Sequence, residues 1–180
     1  MLVTVAICTL NRAESLRRTL DTLAAMQVPS DLGWEVVVVN NDCTDHTDEI
    51  IASFVGRLPI RRELEPQRGL SRARNRAIDA ANGQYIVWTD DDVIVDPGWL
   101  NAYVEAFRRW PEAVVFGGAI IPRYDCFWPA AKGLGICAEP ARIDDDVNVG
   151  PNNVFAVGGI NSAVACTRKS SLWLEFAPNW

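Results

Sequence analysis

Residues 35–45 read EVVVVNNDCTD, and this stretch decides the fold class. Val36 to Val39 form an uninterrupted run of β-branched residues, which is typical of a strand covered on both faces in a parallel sheet. The run ends directly in Asn40, Asn41 and Asp42. Because open α/β sheets bind ligands beyond the carboxyl ends of their strands, this stretch predicts a binding site as well as a strand.

Strand and helix patterns alternate on both sides of this stretch. Residues 15–26, for example, carry leucines at the three- and four-residue spacing of an amphipathic helix. The patterns predict strands at residues 2–8, 35–39, 60–64, 84–89 and 113–121. Four helices are predicted between them. The first spans residues 15–26, the second follows Asp45 as its cap, the third lies between Gly69 and Asn82, and the fourth begins at Pro97.

The order of these elements predicts the architecture. A βαβαβαβ order favours an α/β fold with a mostly parallel, doubly wound central sheet. A length of 180 residues suits one domain. Beyond residue 121 the pattern loosens, and short strands are suggested only at residues 154–157 and 162–166.

Residues 84–92 read QYIVWTDDD, so the fourth strand runs straight into three carboxylates. Such neighbours repel one another unless a positive charge lies nearby, and a hard cation such as Mg²⁺ or Mn²⁺ shared with phosphate oxygens is the usual partner. In an extended segment, Asp90 and Asp92 would point to one side and act together. The alternative is a solvated acidic turn, which is our interpretation of Asp144–Asp146, where no clear strand precedes the run.

Residues 69–76, GLSRARNR, place three arginines around the start of a helix. A helix N-terminus favours anions, and arginine adds bidentate contacts to phosphate. We expect Arg74 to contact a diphosphate, whereas Arg72 and Arg76 are better explained as a basic surface that faces solvent.

Polar residues also follow the first two strands. Thr9, Asn11 and Arg12 could bind a base or could cap the next helix, and the sequence does not separate these alternatives. Asn40 and Asp42 lie where a base and a ribose would bind on such a sheet, with an Asx-turn as the alternative.

Composition excludes several classes of function. The formal net charge of −6 argues against a nucleic-acid-binding surface. The five cysteines are widely spaced without a C-x-x-C pair, which favours a reduced compartment over a disulfide framework or a zinc site. No apolar run approaches the ~18 residues of a membrane span. No G-x-G-x-x-G follows the first strand, and no P-loop or G-x-S-x-G pattern occurs.

Four segments, in this order, resemble the family 2 glycosyltransferases. Residues 3–12, VTVAICTLNR, look like the family's opening "PTYNR" segment, and residues 36–45, VVVVNNDCTD, resemble its "VVDNGSTD" segment. Residues 69–75, GLSRARN, resemble "GLSAARN", and residues 89–99, TDDDVIVDPGW, resemble the acidic metal motif with its following helix. Each match is weak to moderate alone, but their order and spacing make the resemblance specific.

The resemblance implies a GT-A fold, which is an αβα sandwich. It implies an inverting transfer of a sugar from a nucleotide-diphosphate donor, with a UDP-sugar favoured, to a glycan, lipid or small-molecule acceptor. Mn²⁺ or Mg²⁺ would be held by Asp92 and Asp90. The candidate donor-binding residues are Thr9, Asn11, Arg12, Asn40, Asp42, Arg74, Asp90 and Asp91.

The same resemblance implies a domain organisation. Residues 1–180 would form a single domain, with residues 1–121 as the nucleotide-sugar-binding half and residues 122–180 as part of the acceptor-side half. We expect no nucleic-acid partner, and we expect a cytoplasmic protein, either in solution or bound peripherally at the inner face of the membrane.

The acceptor-side half departs from the family's pattern. Residues 158–165, GGINSAVA, loosely resemble the family's "GaNMAfRR" segment, after which an acidic pair supplies the general base. Glu175 is the one carboxylate that remains before Trp180, and its context does not match. We therefore expect a chain truncated at its C-terminus that binds donor weakly, transfers sugar negligibly and self-associates.

Two alternatives remain beside the enzyme hypothesis. One is a non-catalytic or decayed nucleotide-sugar-binding module that lacks the general base. The other is a nucleotidyltransferase, which would need a glycine-rich basic loop that residues 9–12 do not supply. A further departure is Asn40, where the family commonly has Asp. An amide still accepts a bond from a base N–H but lacks the charge, so the base preference stays open.

Overall fold

A β-sheet with helices on both faces organises the computed structural model, which describes residues 1–118 and 164–167. The strands within these residues are β1 (Leu2–Thr9), β2 (Gly33–Asn40), β3 (Ile60–Leu64), β4 (Tyr85–Trp88), β5 (Val115–Gly117) and β6 (Val164–Thr167). The helices are α1 (Ala13–Ala24), α2 (Thr47–Ser53), α3 (Leu70–Ala80) and α4 (Trp99–Arg109).

The strand order across the sheet is β3-β2-β1-β4-β6-β5. The first four of these strands pair in parallel, whereas β6 pairs antiparallel with both β4 and β5. This arrangement confirms the predicted α/β fold with a mostly parallel sheet. It also shows that β6, which the sequence suggested only as a short strand, lies between two strands that precede it in the chain.

The middle of β2 shows why residues 36–39 are four valines in succession. Val36 and Val38 belong to the core between the sheet and helices α1, α2 and α4, whereas Val37 and Val39 belong to the core against α3. All four side chains are fully buried. Burial of each stabilises the fold by roughly 1.5–3 kcal/mol relative to exposure. A strand covered on both faces cannot alternate apolar and polar residues, and the helices on its two faces give three layers.

The two helical layers meet the sheet through residues of different size. Helix α3 buries Ala73 and Ala77, whose small side chains let the helix backbone approach the sheet closely. Helix α4 buries large residues, among them Leu100 and Phe107. Phe107 stacks on Tyr85 of β4 with a centroid distance of 3.9 Å, which fixes α4 against this strand.

Helices α1, α2 and α4 differ at their boundaries from the sequence prediction. Helix α1 spans Ala13–Ala24, two residues earlier at both ends than the predicted residues 15–26. Helix α4 begins at Trp99 and not at Pro97, because the Asp96 carboxylate accepts the backbone N–H of Gly98, the residue that caps the helix. Asp45 lies one residue before His46, the N-cap of α2, and its carboxylate joins two helices. One oxygen accepts the N–H of Thr47 and the other accepts the N–H of Ala13, at the start of α1.

Some predicted features lie outside the described residues. These are the last residues of the strand predicted at 113–121, the strand at 154–157, the acidic run at 144–146 and Glu175. Across residues 1–118 and 164–167, no helix has the length and apolar character needed to cross a membrane.

Candidate functional site

A cleft of about 330 Å³ opens where β1 and β4, which are neighbours in the sheet, reach their carboxyl ends. The N-terminus of α3 forms its opposite wall. The lining residues are Cys8, Thr9, Leu10, Arg12, Asn41, Gly69, Leu70, Ala73, Asp90, Asp91 and Asp92. All four polar segments that the sequence predicts therefore contribute to this cleft. They are the segments after β1, β2 and β4 and the start of α3, and the segment after β2 contributes Asn41.

Asp90, Asp91 and Asp92 form an acidic turn and not an extended segment. The chain leaves β4 at Trp88, and Asp91 and Asp92 already lie in a turn. Asp91 is only 4% exposed, whereas Asp90 is half-buried and Asp92 is exposed. The prediction that an extended backbone aligns Asp90 and Asp92 is therefore wrong, although the turn still brings both carboxylates to the cleft.

Asp91 is held by two residues that follow β1. The hydroxyl of Thr9 donates to Asp91 Oδ2 at 2.7 Å, and Nη1 of Arg12 donates to Asp91 Oδ1 at 2.9 Å. The second terminal nitrogen of Arg12 donates to Asp92 Oδ2, also at 2.9 Å. One guanidinium group thus bridges two carboxylates of the acidic turn.

The electrostatics of the acidic turn reflect burial and crowding. Burial raises the pKa of Asp90 above its ordinary value, and the negative charge of Asp92 raises it further. Burial also raises the pKa of Asp91, because the bond from Thr9 and the charge of Arg12 only partly oppose it. Burial tends to lower the pKa of Arg12, but the charges of Asp91 and Asp92 outweigh it and raise that pKa. The turn therefore holds more negative charge than Arg12 alone balances.

The residues present fit a hard divalent cation. Asp90 and Asp92 supply carboxylate oxygens, which Mg²⁺ and Mn²⁺ prefer, and their mutual repulsion is what a cation would relieve. Among residues 1–118 and 164–167, no three His, Cys, Asp or Glu side chains converge as a metal cage. Magnesium ions in phosphate-transfer sites commonly use one or two carboxylates, with phosphate and water completing the shell. A two-carboxylate site of that kind matches the acidic turn.

The loops after β1 and β2 are joined by side-chain contacts. Asn11 Oδ1 accepts the backbone N–H of Thr44 at 2.7 Å, and the Asn11 N–H donates to the Cys43 sulfur at 3.3 Å. Asn11 and Asp42 both adopt left-handed backbone conformations, with φ values of 54° and 60°, which asparagine and aspartate tolerate better than most residues. This contact is not the helix cap that the sequence offered as the alternative to a base contact, because Asn11 bonds to the loop after β2 and Asp45 accepts the N–H at the start of α1.

Asn40 and Asp42 also have partners within the protein. Asn40 is buried, its Oδ1 accepts the N–H of Cys43 at 2.7 Å, and its Nδ2 donates to Asp48 at 2.6 Å. Asp42 pairs with Arg68, whose Nε lies 2.8 Å from Asp42 Oδ2. The Asn40 contacts have the turn-forming character that the sequence offered as the alternative to a base contact.

Arg74 lies on α3 near the cleft, and its contact with a diphosphate stays a prediction. Burial raises the pKa of the Cys8 thiol to about 12, and the positive charge of Arg74 opposes this rise. The same charge opposes the rise in the pKa of Asp90. Arg74 is therefore close enough to the acidic turn to influence it through space.

Asn41, which the sequence predicts only as part of the polar cluster after β2, organises the α3 wall of the cleft. Its Nδ2 donates to the carbonyls of Glu65 at 3.1 Å and Gln67 at 2.9 Å, and its Oδ1 accepts the N–H of Gly69 at 2.9 Å. Asn41 is buried, and all three contacts lie in the segment that leads into α3. These partners are 24 to 28 residues away along the chain, so no local pattern identifies them.

Comparison with known proteins places this geometry in a family. The chain matches the family model described as "Glycosyl transferase family 2" over residues 4–159. It is 32% identical over 117 residues to the succinoglycan biosynthesis protein ExoM of Rhizobium meliloti, covering 64% of this chain and 38% of that protein. It is 28% identical over 136 residues to the glucosyl-dolichyl phosphate glucuronosyltransferase of Haloferax volcanii, covering 73% of this chain and 41% of that protein. The chain thus spans about two fifths of the length of these relatives.

Solved structures show the same fold. S. aureus TarS in complex with UDP-GlcNAc superposes with a TM-score of 0.60 at 23% identity, over 68% of this chain and 37% of that one. The mannosyltransferase PcManGT from Pyrobaculum calidifontis, in complex with GDP-Man and Mn²⁺, superposes with a TM-score of 0.59 at 28% identity, over 67% of this chain and 35% of that one. These neighbours confirm the GT-A fold that the sequence motifs implied.

Proposed function

The chain belongs to glycosyl transferase family 2, and on that premise we propose that it transfers a sugar from a nucleotide-diphosphate donor to an acceptor hydroxyl. The observation that carries the proposal is the meeting of the acidic turn with the N-terminus of α3 across one cleft. One wall offers carboxylates for a cation, and the other offers a helix end that attracts phosphate.

The α3 wall would bind the diphosphate. Gly69 and Leu70 begin the helix, and backbone N–H groups of a first helical turn have no partner within the helix. Arg74 lies one turn further along and adds positive charge. Asn41 fixes the approach to this helix, so the N–H groups keep their direction.

The acidic turn would hold a cation, with Asp92 and Asp90 as its protein ligands. A bound Mn²⁺ or Mg²⁺ would neutralise the charge that develops on the leaving diphosphate. The structure of PcManGT in complex with GDP-Man and Mn²⁺ supports this extension to the present chain. We retain a UDP-sugar as the first donor to test, with the GDP-sugar beside it.

The reaction we propose is an in-line displacement with inversion at the anomeric carbon, in which a carboxylate deprotonates the acceptor hydroxyl. The carboxylates among the described lining residues are those of the acidic turn, and each already has a binding or structural role. We therefore assign no general base among them. The second candidate, which the sequence left open, is a nucleotide-sugar-binding module without transfer.

Calorimetry with nucleotides tests the binding half of the proposal. With Mn²⁺ present, UDP should bind at least about tenfold more tightly than UMP, because the second phosphate reaches both the cation and the helix end. GDP measured against GMP tests the same preference for the other base. Equal affinities for diphosphate and monophosphate with both bases would contradict the proposed orientation of the donor.

A turnover assay separates the two candidates. UDP release from UDP-sugars, followed with and without glycan and small-molecule acceptors, should rise with an acceptor if the chain is a transferase. Tight binding without any acceptor-dependent release would instead support the binding module.

A further inference from the structure

We propose that Thr9, Arg12 and Asp91 form a positioning clamp for the acidic turn, and that this role replaces direct contact with the nucleotide. The inference rests on the proposed function, because the clamp determines how Asp90 and Asp92 are presented to a cation. It reassigns three residues that the sequence had placed among donor contacts.

The first argument is that Asp91 is buried, and that both of its carboxylate oxygens already have partners within the protein. Its side chain is 5% exposed, and each of its oxygens already accepts a hydrogen bond, from Thr9 and from Arg12. A buried carboxylate is costly unless it is paired and hydrogen-bonded. The two contacts therefore explain why Asp91 can remain buried between two carboxylates that face the cleft.

The second argument is the geometry of Arg12. Its two terminal nitrogens each lie 2.9 Å from a different carboxylate, Asp91 on one side and Asp92 on the other. A guanidinium is planar and rigid, so this fork fixes the separation of the two side chains. Within residues 1–118 and 164–167, Arg12 engages Oδ2 of Asp92, and the other oxygen could bind a cation.

The third argument is that the clamp joins two neighbouring strand ends. Ala6 of β1 pairs with Trp88 of β4, and the N–H of Thr89 donates to the carbonyl of Ala6 at 3.1 Å. Pairing stops there, and the next contacts between the two segments are those of Thr9 and Arg12 with the acidic turn. The clamp thus continues the strand pairing into the site by means of side chains.

The test is the ratio of UDP dissociation constants measured in EDTA and in Mn²⁺. A positioning role acts on cation binding, so Thr9→Val and Arg12→Ala should each lower this ratio by about tenfold, as expected for losing a hydrogen bond to a charged group. UDP affinity in EDTA should stay at the wild-type value. Thr9→Ser, which keeps the hydroxyl, should restore the wild-type ratio, and Arg12→Lys should be intermediate because one ammonium cannot span both carboxylates.

The outcomes separate the clamp from other roles. If UDP affinity in EDTA falls as far as affinity in Mn²⁺, Thr9 and Arg12 contact the nucleotide and the clamp is overturned. An unchanged ratio in Thr9→Val and Arg12→Ala overturns the clamp alone, whereas a wild-type ratio near one overturns the proposed cation role and the clamp with it. Thermal unfolding of each variant identifies any that fail to fold. If Arg12→Ala fails to fold, the comparison of Thr9→Val with Thr9→Ser tests the clamp.

Discussion

Glu35 shows at the residue scale how this fold holds a carboxylate on a buried strand. Its side chain is 14% exposed and accepts hydrogen bonds from the Thr4 hydroxyl, the backbone and side chain of Asn82, and Arg61. Burial alone would raise the pKa of Glu35, but these donors outweigh it and lower the pKa below the ordinary 4.5. The charged form therefore stabilises the folded chain.

Replacement of this carboxylate should destabilise the protein in a pH-dependent way. Glu35→Gln should lower the free energy of unfolding near neutral pH by about 1–3 kcal/mol, because buried donors lose a charged acceptor. A lowered folded-state pKa gives stability that is present above the unfolded-state value and is lost as the pH falls through the folded-state value. The difference between variant and wild type should therefore shrink below about pH 4.

Urea unfolding at neutral and acidic pH measures this difference. Glu49→Gln is the matched control, because Glu49 is an exposed residue of α2. A difference between Glu35→Gln and wild type that is constant with pH, or equal to that of the control, would contradict the assignment.

The residue scale is also where prediction from sequence is weakest. Sequence motifs placed Asp90, Asp92 and Arg74 near the cleft, because strand ends and helix starts have local signatures. They did not show that Arg12 bridges Asp91 and Asp92. Arg12 is separated from Asp91 by 79 positions in the sequence and from Asp92 by 80, and the pairing of β1 with β4 brings these residues together.

At the scale of elements, the start of α3 depends on Gly69. This residue has a φ of 147°, a conformation that side-chain-bearing residues rarely adopt, and its N–H donates to Asn41. Among the residues that the structure describes, a Cβ at this position would meet the Arg72 side chain alone, at 3.7 Å, so the cost of alanine there is backbone strain and not a clash.

Gly69→Ala should therefore lower stability by about 1–3 kcal/mol and should weaken UDP binding both with and without Mn²⁺, since it shifts the helix end itself. Gly33→Ala is the matched control, because Gly33 has no left-handed φ and its added Cβ would lie an ordinary 3.4 Å from Leu2. Thermal unfolding and calorimetry measure both effects. UDP affinities in Gly69→Ala equal to those of the control would argue against α3 as the diphosphate wall.

Elements were more predictable than contacts. Each helix and strand within residues 1–118 follows from a local pattern, such as the continuous valines of β2 or the leucine spacing of α1. The position of β6 between β4 and β5 does not, because strand order depends on tertiary pairing. Boundaries shifted where one side chain redirected the backbone, as Asp96 does before α4.

At the scale of the whole molecule, charge is the central problem for a nucleotide-diphosphate ligand. The chain carries a formal net charge of −6, and its cleft presents three carboxylates against the bridging Arg12. A diphosphate would meet repulsion from the acidic turn unless a cation lies between them. Cation-linked donor binding is thus the central claim of this account.

The most direct measurement of that claim is the affinity for UDP in Mn²⁺ and in EDTA, by calorimetry on the wild type, Asp92→Asn and the exposed control Asp79→Asn. The wild type and Asp79→Asn should bind UDP about tenfold or more tightly with Mn²⁺, a coupling of ordinary size. Asp92→Asn should lose most of that gain, and its affinity in EDTA should equal or exceed the wild-type value because one repelling charge is removed, with unchanged unfolding. Equal UDP affinity with and without Mn²⁺ in the wild type, or an Asp92→Asn variant that behaves like Asp79→Asn, would contradict the account.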